Sequence, residues 1–331
     1  YTAAYALEIT GGTFVGGSGT HTFGSLYMSN TSAAVCTLTS GVTTISSEVT
    51  SANRAINITG TNAVFNHGSG TVTFTFAGTT RIALEGNSLY NVIVNDSSAS
   101  VEYIGDTTID NDLTVTAGKF RYNNFHDLTV TGNVSVTGIL GHPTTTTTSN
   151  CTFGGLQINS GGEYKAPSGT TTLTDKISSG TYTNYMFHNG GTFTHNKGTV
   201  HWKADTSSGT WYAMNGSTSA TQTEFYNIST ERVRASGTEQ YRFWTGGSAR
   251  HLTVLNNIDI GANTRIFSSN GTGNFRNDGI CDISGILNIV NVTTVNMGAV
   301  TIESGGELEF GDGNSVNVEG IRNVGGTVTV T

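Results

Sequence analysis

The sequence is poor in proline and in charge, and it has few of the residues that favour helices. Of its 331 residues only 2 are proline and 11% are charged, against about 25% in ordinary soluble domains. Alanine, leucine, glutamate and lysine are too sparse for long helices, whereas threonine and valine, which favour pleated strands, are frequent. With 44 glycines available for tight turns, the composition predicts an all-β protein.

Further absences exclude whole classes of protein. No apolar run reaches the length of about 18 residues that a spanning helix needs, so we predict no membrane insertion. The net charge of −8 argues against nucleic acid as a partner, because nucleic acids attract basic surfaces. The cysteines, Cys36, Cys151 and Cys281, have no metal-ligand spacing, and we expect them to be small buried residues. The sequence accordingly predicts no metal and no cofactor.

Long stretches of the sequence return further along the chain. Residues 65–74 return as 193–202, and both copies carry a His three residues before Gly-Thr-Val. Other matching segments are 22–26 with 152–156, 132–140 with 279–287, and 158–163 with 302–307. Tandem copies at varying spacing are typical of a stacked array. We therefore predict one repeat over 1–149, a second over 150–288 and a partial third over 289–331.

Within the copies, short runs alternate apolar and polar residues, as in 71–76, 113–116 and 328–331. This period of two predicts strands with one buried face, and Gly-Gly or Asn-Gly pairs between the runs supply corners. Very short strands are stable when each pairs with its equivalent in the next coil. We therefore predict an elongated parallel β-helix, or β-solenoid, built from tandem degenerate repeats. Coils of about 20–25 residues would give about 13–16 turns.

Two sets of polar residues invite a chemical interpretation. His67 and His195 occupy equivalent positions, but no metal-ligating cluster accompanies either one. We expect each imidazole to bond a backbone group at the corner before its Thr-Val strand. Asp110 and Asp112 would lie on one strand face about 7 Å apart, a spacing that permits acid/base chemistry on a polysaccharide. Solvated turn carboxylates are the alternative.

Aromatic residues are concentrated in one region. Trp211, Tyr212 and Trp244 lie there with Arg242, and we identify these four as candidates for glycan contact. Adjacent residues in a strand face opposite sides, so one of Trp211 and Tyr212 should face solvent. The alternative is an aromatic stack in a wider part of the core. Four arginines of this region, Arg232, Arg234, Arg242 and Arg250, are expected to be solvated.

The repeats resemble β-solenoid repeats of large structural proteins of bacteriophage virions, of the tail-fibre, spike or decoration type. The matching segments are 128–140, 156–174 and 191–200, and similar repeats occur in bacterial surface adhesins. The resemblance implies a virion or an extracellular, cell-surface location. It implies a homo-oligomer, such as a trimer, or contact with other virion or surface subunits. The matching motifs contain no catalytic residue, so no catalytic role is carried over.

The first functional hypothesis is therefore a non-enzymatic, rigid fibre, spike or decoration segment that can contact a receptor or a host-surface polysaccharide. The second is a polysaccharide-degrading tailspike-like enzyme that uses an acid pair such as Asp110 and Asp112. The third is a secreted bacterial adhesin or cell-surface filament protein. Reducing-end release from polysaccharide would separate the second hypothesis from the others, and neighbouring genes would separate the first from the third.

Overall fold

The protein is described by a computed structural model. The structure describes residues 5–29, 33–47, 53–59, 62–122, 125–141, 148–207, 211–216, 223–244, 251–268 and 273–331. No residue in these ranges is helical, which confirms the all-β prediction. Within the same ranges, no helix is available that could cross a membrane.

The strands are short and follow one another along the whole chain. The first eighteen are β1 (Leu7–Ile9), β2 (Gly12–Val15), β3 (His21–Phe23), β4 (Leu26–Met28), β5 (Ala34–Thr37), β6 (Val42–Ile45), β7 (Arg54–Ile58), β8 (Val64–Asn66), β9 (Thr71–Phe74), β10 (Gly78–Ala83), β11 (Ser88–Leu89), β12 (Asn91–Tyr103), β13 (Thr107–Ile109), β14 (Leu113–Tyr122), β15 (Leu128–Val136), β16 (Ile139–Gly141), β17 (Cys151–Ile158) and β18 (Glu163–Lys165). The remainder are β19 (Thr170–Leu173), β20 (Tyr185–Asn189), β21 (Thr192–Thr194), β22 (Thr199–Trp202), β23 (Trp211–Gly216), β24 (Glu224–Phe225), β25 (Asn227–Thr230), β26 (Glu239–Trp244), β27 (Leu252–Val254), β28 (Ile258–Ile260), β29 (Thr264–Ser268), β30 (Asn274–Asn277), β31 (Cys281–Ile283), β32 (Ile286–Ile289), β33 (Thr294–Ile302), β34 (Glu307–Phe310), β35 (Ser315–Asn323) and β36 (Thr327–Val330).

The chain divides into two compact units. The first comprises Tyr1–Thr152 with Gly161–Lys165, and the second comprises Phe153–Ser160 with Ala166–Thr331. Each is a parallel β-solenoid, and together they contain about 13 turns, as the repeat pattern predicts. The predicted repeat boundaries at 149/150 and 288/289 concern the copies in the sequence and stay predictions.

In the first unit, strands of successive coils pair in parallel. Strand β12 shows the arrangement, because its two halves lie on different faces of the coil: 92–94 pair with 113–115 of β14, and 100–103 pair with 119–122. A separate three-stranded sheet is formed by β2, β5 and β8. This is the arrangement of a solenoid, in which neighbouring strands of a ladder run in the same direction and come from adjacent coils.

In the second unit, the ladders run in the same way. One of them joins β22, β25, β28 and β31, and another joins β26, β29, β32 and β34. Because side chains alternate along a strand, each ladder presents one buried row and one outward row of stacked residues. The outward rows of this unit hold the residues discussed below as functional candidates.

Apolar side chains in register fill both interiors. In the first unit Leu26, Ile56, Ile82, Tyr103 and Tyr122 occupy successive rungs, and each is 0% exposed. The second unit has an equivalent row in Tyr241, Ile266, Leu287 and Leu308. All three cysteines are free and buried within these interiors, which confirms the sequence prediction, and burial raises the pKa of each thiol.

The repeated histidines build the same turn in both units. His67 and His195 each begin a turn whose two central residues have positive φ: Gly68 (64°) and Ser69 (58°) in one, Asn196 (46°) and Lys197 (63°) in the other. The Nδ1 atom of His67 accepts the Ser69 N–H at 2.9 Å, and Nδ1 of His195 accepts the Lys197 N–H at 3.0 Å. The predicted corner role of these imidazoles is therefore confirmed.

The glycine that ends this turn is required by close packing between coils. A Cβ added at Gly70 would lie 2.0 Å from the carbonyl oxygen of Thr39, and one added at Gly198 would lie 2.2 Å from that of Pro167. No side chain fits in that space. The glycine of the repeated Gly-Thr-Val segment is thus explained by backbone contact with the preceding coil.

One coil after this turn, an asparagine in each unit makes the same set of bonds. Asn91 Oδ1 accepts Asn111 Nδ2 at 2.8 Å and the Asp112 N–H at 3.2 Å. In the second unit Asn227 Oδ1 accepts Asn256 Nδ2 at 2.8 Å and the N–H of the next residue at 3.1 Å. These amides satisfy backbone donors at the coil corner, so the repeated residues shape the fold.

Candidate functional site

The predicted glycan contacts Trp211 and Tyr212 lie on β23 and face opposite sides, as strand alternation requires. Trp211 is only 6% exposed, and Lys176 Nζ lies 5.2 Å from its ring centroid. Tyr212 points outward and is half-buried, stacked on Tyr185 of the preceding strand with ring centroids 4.9 Å apart. Of the two residues, Tyr212 is the one that contributes to the outer surface.

Arg242 lies directly above Tyr212 in the same outward row. Register places Arg242 opposite Tyr212 on one side and Phe267 on the other. Its guanidinium carbon lies 5.3 Å from the Tyr212 ring centroid and 4.9 Å from that of Phe267, so the cation is held between two aromatic faces. We call Tyr185, Tyr212, Arg242 and Phe267 the aromatic–arginine row.

Among the described residues, nothing neutralises Arg242. Its Nε is buried without a hydrogen-bond partner, and no described carboxylate pairs with its guanidinium. The neighbouring Arg265, in contrast, has Nη2 3.5 Å from Glu309 Oε2, and Asn288 Nδ2 donates to the same oxygen. The expectation that Arg242 is simply solvated is therefore wrong, because it is half-buried and stacked.

The first unit shows how an outward arginine is otherwise accommodated. There the register runs Arg81, Glu102, Arg121, so that charges alternate from coil to coil. Arg81 Nε lies 3.0 Å from Glu102 Oε2. Arg242 instead has an aromatic residue on each side, and its guanidinium has no acceptor among the described residues. Because Nε is buried, an acceptor from outside the protein would bind the Nη groups.

The chemistry of the aromatic–arginine row follows from these contacts. A guanidinium is planar and always charged, and its paired N–H donors match a carboxylate or two neighbouring hydroxyl groups. The flanking rings fix its plane, which lowers the conformational entropy lost on binding. Of the remaining candidates, Trp244 pairs through its backbone with Ser268, and its side chain lies outside the part of the structure that is described.

The acid pair of the enzyme hypothesis is placed differently from expectation. Asp110 and Asp112 do not share a strand face, because they lie in the bend between β13 and β14. Asp110 Oδ2 accepts the Ser88 hydroxyl at 2.5 Å and lies 3.1 Å from His67 Nε2. Asp112 Oδ1 accepts the Asn133 N–H at 2.7 Å. Both carboxylates therefore make contacts that stabilise the coil corner.

Another of the four arginines that were expected to be solvated forms an ion pair with a buried carboxylate. Arg234 Nε lies 2.9 Å from Oε1 of Glu239, a residue that is 0% exposed. Arg234 is therefore paired, contrary to the sequence-based expectation of solvation, and it also donates to the carbonyl of Thr238. Arg232 is half-buried, and Arg250 lies outside the described residues.

Sequence reasoning missed Tyr185 and Phe267, which complete the aromatic–arginine row. Phe267 lies on a strand with alternating exposure, so its outward direction could have been recognised from sequence. Tyr185 begins β20, whose other residues are all buried, so its outward direction could not. Their contact with Tyr212 and Arg242 could not either, because it depends on the register between coils of unequal length. The described residues also contain no group of three or more His, Cys, Asp or Glu suited to a metal ion.

Comparisons with protein-family models, with curated proteins and with solved structures each found no match to this chain.

Proposed function

We propose that the chain is a structural β-solenoid segment of a virion-associated fibre, spike or decoration protein, which holds an acidic glycan at the aromatic–arginine row. The solenoid supplies a rigid support, and the resemblance of the repeats supports the virion-associated role. The observation that carries the glycan contact is Arg242, a cation fixed between Tyr212 and Phe267 with no acceptor among the residues that the structure describes.

The row binds by stacking and charge, and no cleavage is assigned to it. A uronic-acid carboxylate would accept two N–H groups from the edge of the guanidinium. The side of a sugar ring would contact the exposed edges of Tyr212 and Phe267, which are both half-buried. Because a neutral sugar offers only hydroxyl groups, we expect the acidic polymer to bind more tightly.

Binding to immobilised polygalacturonate, with dextran as the neutral polymer, tests this function. We expect Arg242→Gln to weaken binding to polygalacturonate at least about tenfold, in line with the loss of a charge-assisted hydrogen bond of about 1.5–3 kcal/mol. Arg242→Lys should bind polygalacturonate only slightly more tightly than Arg242→Gln, since an ammonium group lacks the planar pair of donors. Equal binding of Arg242→Gln and the wild type would refute the assignment of the site.

The matched control is Arg276→Gln. Arg276 is also an outward arginine of the second unit, but it already forms two bonds to Asp278, at 2.7 and 2.6 Å. Its side chain is 53% exposed. Removal of this charge should leave glycan binding unchanged, which separates a specific effect of Arg242 from a general effect of net charge.

The assembly and location are proposed with the same function. We propose a homo-oligomer, such as a trimer, on a virion or another extracellular surface. Light scattering at several concentrations measures the oligomeric state, and a monomer throughout would contradict this part of the proposal. Neighbouring capsid or tail genes would support the virion; neighbouring surface-export genes would favour the adhesin.

A further inference from the structure

A second outward row of the second unit carries a different set of polar residues. Strands β22, β25, β28 and β31 place His201, Ser229, Asp259 and Asp282 on successive rungs of one ladder. His201 and Ser229 are half-buried, whereas the two aspartates are exposed. None of these four residues belongs to the aromatic–arginine row.

His201 bridges a hydroxyl and a carboxylate. Its Nδ1 lies 2.8 Å from Ser229 Oγ, and its Nε2 lies 3.2 Å from Glu231 Oε2. Glu231 follows Ser229 by two residues, and its other oxygen lies 2.7 Å from Lys203 Nζ. With the ring proton on Nε2, the imidazole donates to Glu231 and accepts the hydroxyl proton of Ser229 at Nδ1. A hydroxyl, an imidazole and a carboxylate are thus in hydrogen-bond contact, which is the arrangement by which a base activates a serine nucleophile.

The first unit provides an internal comparison for this row. The equivalent ladder there contains Thr44, Thr73, Ile93, Thr114 and Ser135 in register. The repeated corner fixes the correspondence: Thr73 matches His201, and Ile93, which follows Asn91 by two residues, matches Ser229, which follows Asn227 by two. The first unit therefore forms its ladder with threonine at the position of His201 and isoleucine at the position of Ser229.

The charges around His201 favour its neutral, basic form. Burial lowers the pKa of His201, and the cation of Lys203 acts in the same direction, while Glu231 and Asp259 oppose the shift. The hydrogen bond from Lys203 lowers the pKa of Glu231, which keeps that carboxylate ionised. Above neutral pH the imidazole is thus free to accept a proton.

We infer that Ser229 is an activated nucleophile and that the Ser229–His201–Glu231 group takes acyl esters as its ligand class. Ser229 Oγ would attack the carbonyl carbon while its proton passes to His201 Nδ1. The ester C–O bond would then break, and the departing alkoxide would take the proton from His201. Water, deprotonated by the same nitrogen, would release the acid and regenerate the serine. Glu231 is a positioning residue that orients the ring and stabilises the imidazolium.

This inference goes beyond the binding role proposed above, and it also departs from the expectation of a non-enzymatic chain. It rests on residues that the glycan experiment does not touch. Loss of glycan binding in Arg242→Gln therefore says nothing about Ser229, and failure of one proposal leaves the other standing.

The test uses a fluorophosphonate probe on the full chain, with the labelled residue identified by peptide mass spectrometry. We expect labelling at Ser229 and hydrolysis of p-nitrophenyl acetate above the buffer rate, both abolished in Ser229→Ala. His201→Asn should slow labelling about 100-fold, the usual contribution of a general base. Ser88→Ala is the control, because the Ser88 hydroxyl bonds a carboxylate directly and has no histidine base.

The pH profile separates activation from a merely structural effect. Labelling should rise as His201 loses its proton and then reach a plateau. In Glu231→Gln the midpoint should move to lower pH, since the carboxylate that stabilises the imidazolium is gone. Labelling at Ser229 no faster than at Ser88, or unchanged in a folded His201→Asn variant, would overturn the inference. An unmoved midpoint in Glu231→Gln would overturn the role of that residue.

Discussion

Replacement of Glu239 by glutamine should weaken the second unit more than any exposed charge change does. The carboxylate is fully buried and accepts four hydrogen bonds. Oε2 takes the N–H and the hydroxyl of Thr206 at 2.8 and 2.7 Å, and Oε1 takes the N–H and Nε–H of Arg234 at 3.1 and 2.9 Å. In Glu239→Gln one oxygen becomes an NH₂ group that faces donors of Thr206 or Arg234, so at least one of the four bonds is lost together with the ion pair.

The expected cost is about 3–5 kcal/mol at neutral pH, the range for a buried pair that loses one charge. Urea unfolding followed by circular dichroism measures it, and hydrogen exchange of β26 and β29 locates it. Each coil of a solenoid is stabilised by contact with its neighbours. The loss of protection against amide hydrogen exchange should therefore be greatest in the coils next to residue 239. Glu319→Gln is the control, because Glu319 is exposed and has no ion pair among the described residues.

The pH dependence supplies a second readout. Burial alone would raise the pKa of Glu239, but the hydrogen bonds from Thr206 and Arg234 outweigh it and lower the pKa below the ordinary 4.5. The stabilisation is therefore present above about pH 4.5 and is lost as the pH falls through the folded-state pKa. The difference in the free energy of unfolding between the wild type and Glu239→Gln should decrease in acid. The reasoning is refuted if Glu239→Gln lowers the free energy of unfolding no more than Glu319→Gln does. It is also refuted if the difference between Glu239→Gln and the wild type does not change with pH.

Three further predictions concern the frame of the solenoid. Gly198→Ala should destabilise the protein by about 1–3 kcal/mol through overpacking, whereas Gly313→Ala, with nothing within 4 Å of its added Cβ, should not; equal urea midpoints would contradict this. Asn227→Ala should cost about 1–3 kcal/mol, because a corner N–H and an amide lose their acceptor; an unchanged midpoint would show that water replaces it. The three buried cysteines should not react with a thiol reagent at pH 8 until urea unfolds the chain, and rapid reaction of the native protein would contradict their burial.

The fold could be predicted because its determinants are local. Alternation of period two, glycine pairs at corners and repetition of the His-x-x-Gly-Thr-Val segment are all readable without coordinates. The structure explains the last of these through the positive φ of the turn and the carbonyl that lies against Gly70 and Gly198. Unequal coil lengths could not be read in this way. Leu26, for example, pairs with Leu7 on one side and with Ile56 on the other.

The candidate sites were only partly predictable for the same reason. Strand alternation predicted that one of Trp211 and Tyr212 faces outward, and the structure shows that it is Tyr212. The concentration of aromatic residues was enough to identify Arg242 as a possible contact. That Arg242 lies between Tyr212 and Phe267 depends on which coil neighbours which, and no short-range pattern carries that information. The pairing of Arg234 with Glu239 was hidden although the residues are close in sequence, because it depends on the loop between them.

Comparison of the two copies gives a criterion that neither copy gives alone. Residues that both units keep, such as Asn91 with Asn227, bond backbone groups or occupy turns, so the fold accounts for them. Residues present in only one unit are not required by the ladder in which they stand. By that criterion the fold does not require Asp110, because its counterpart in the second unit is Leu255. The Asp110 carboxylate is nevertheless bonded within the corner, to the Ser88 hydroxyl and to His67.

Arg242, which has Glu102 as its counterpart in the register of the matched rows, and His201, which has Thr73, meet the same criterion with a different outcome. Within the described ranges, Arg242 retains N–H groups without an acceptor, and His201 holds a serine hydroxyl in a geometry suited to proton transfer. Arg242 can therefore donate hydrogen bonds to a ligand, and His201 can accept a proton, and neither ability is needed for the fold. A polar residue of a solenoid merits functional study when the other copy folds without it and when its own contacts leave such a capacity, and in this chain both conditions select the outward rows of the second unit.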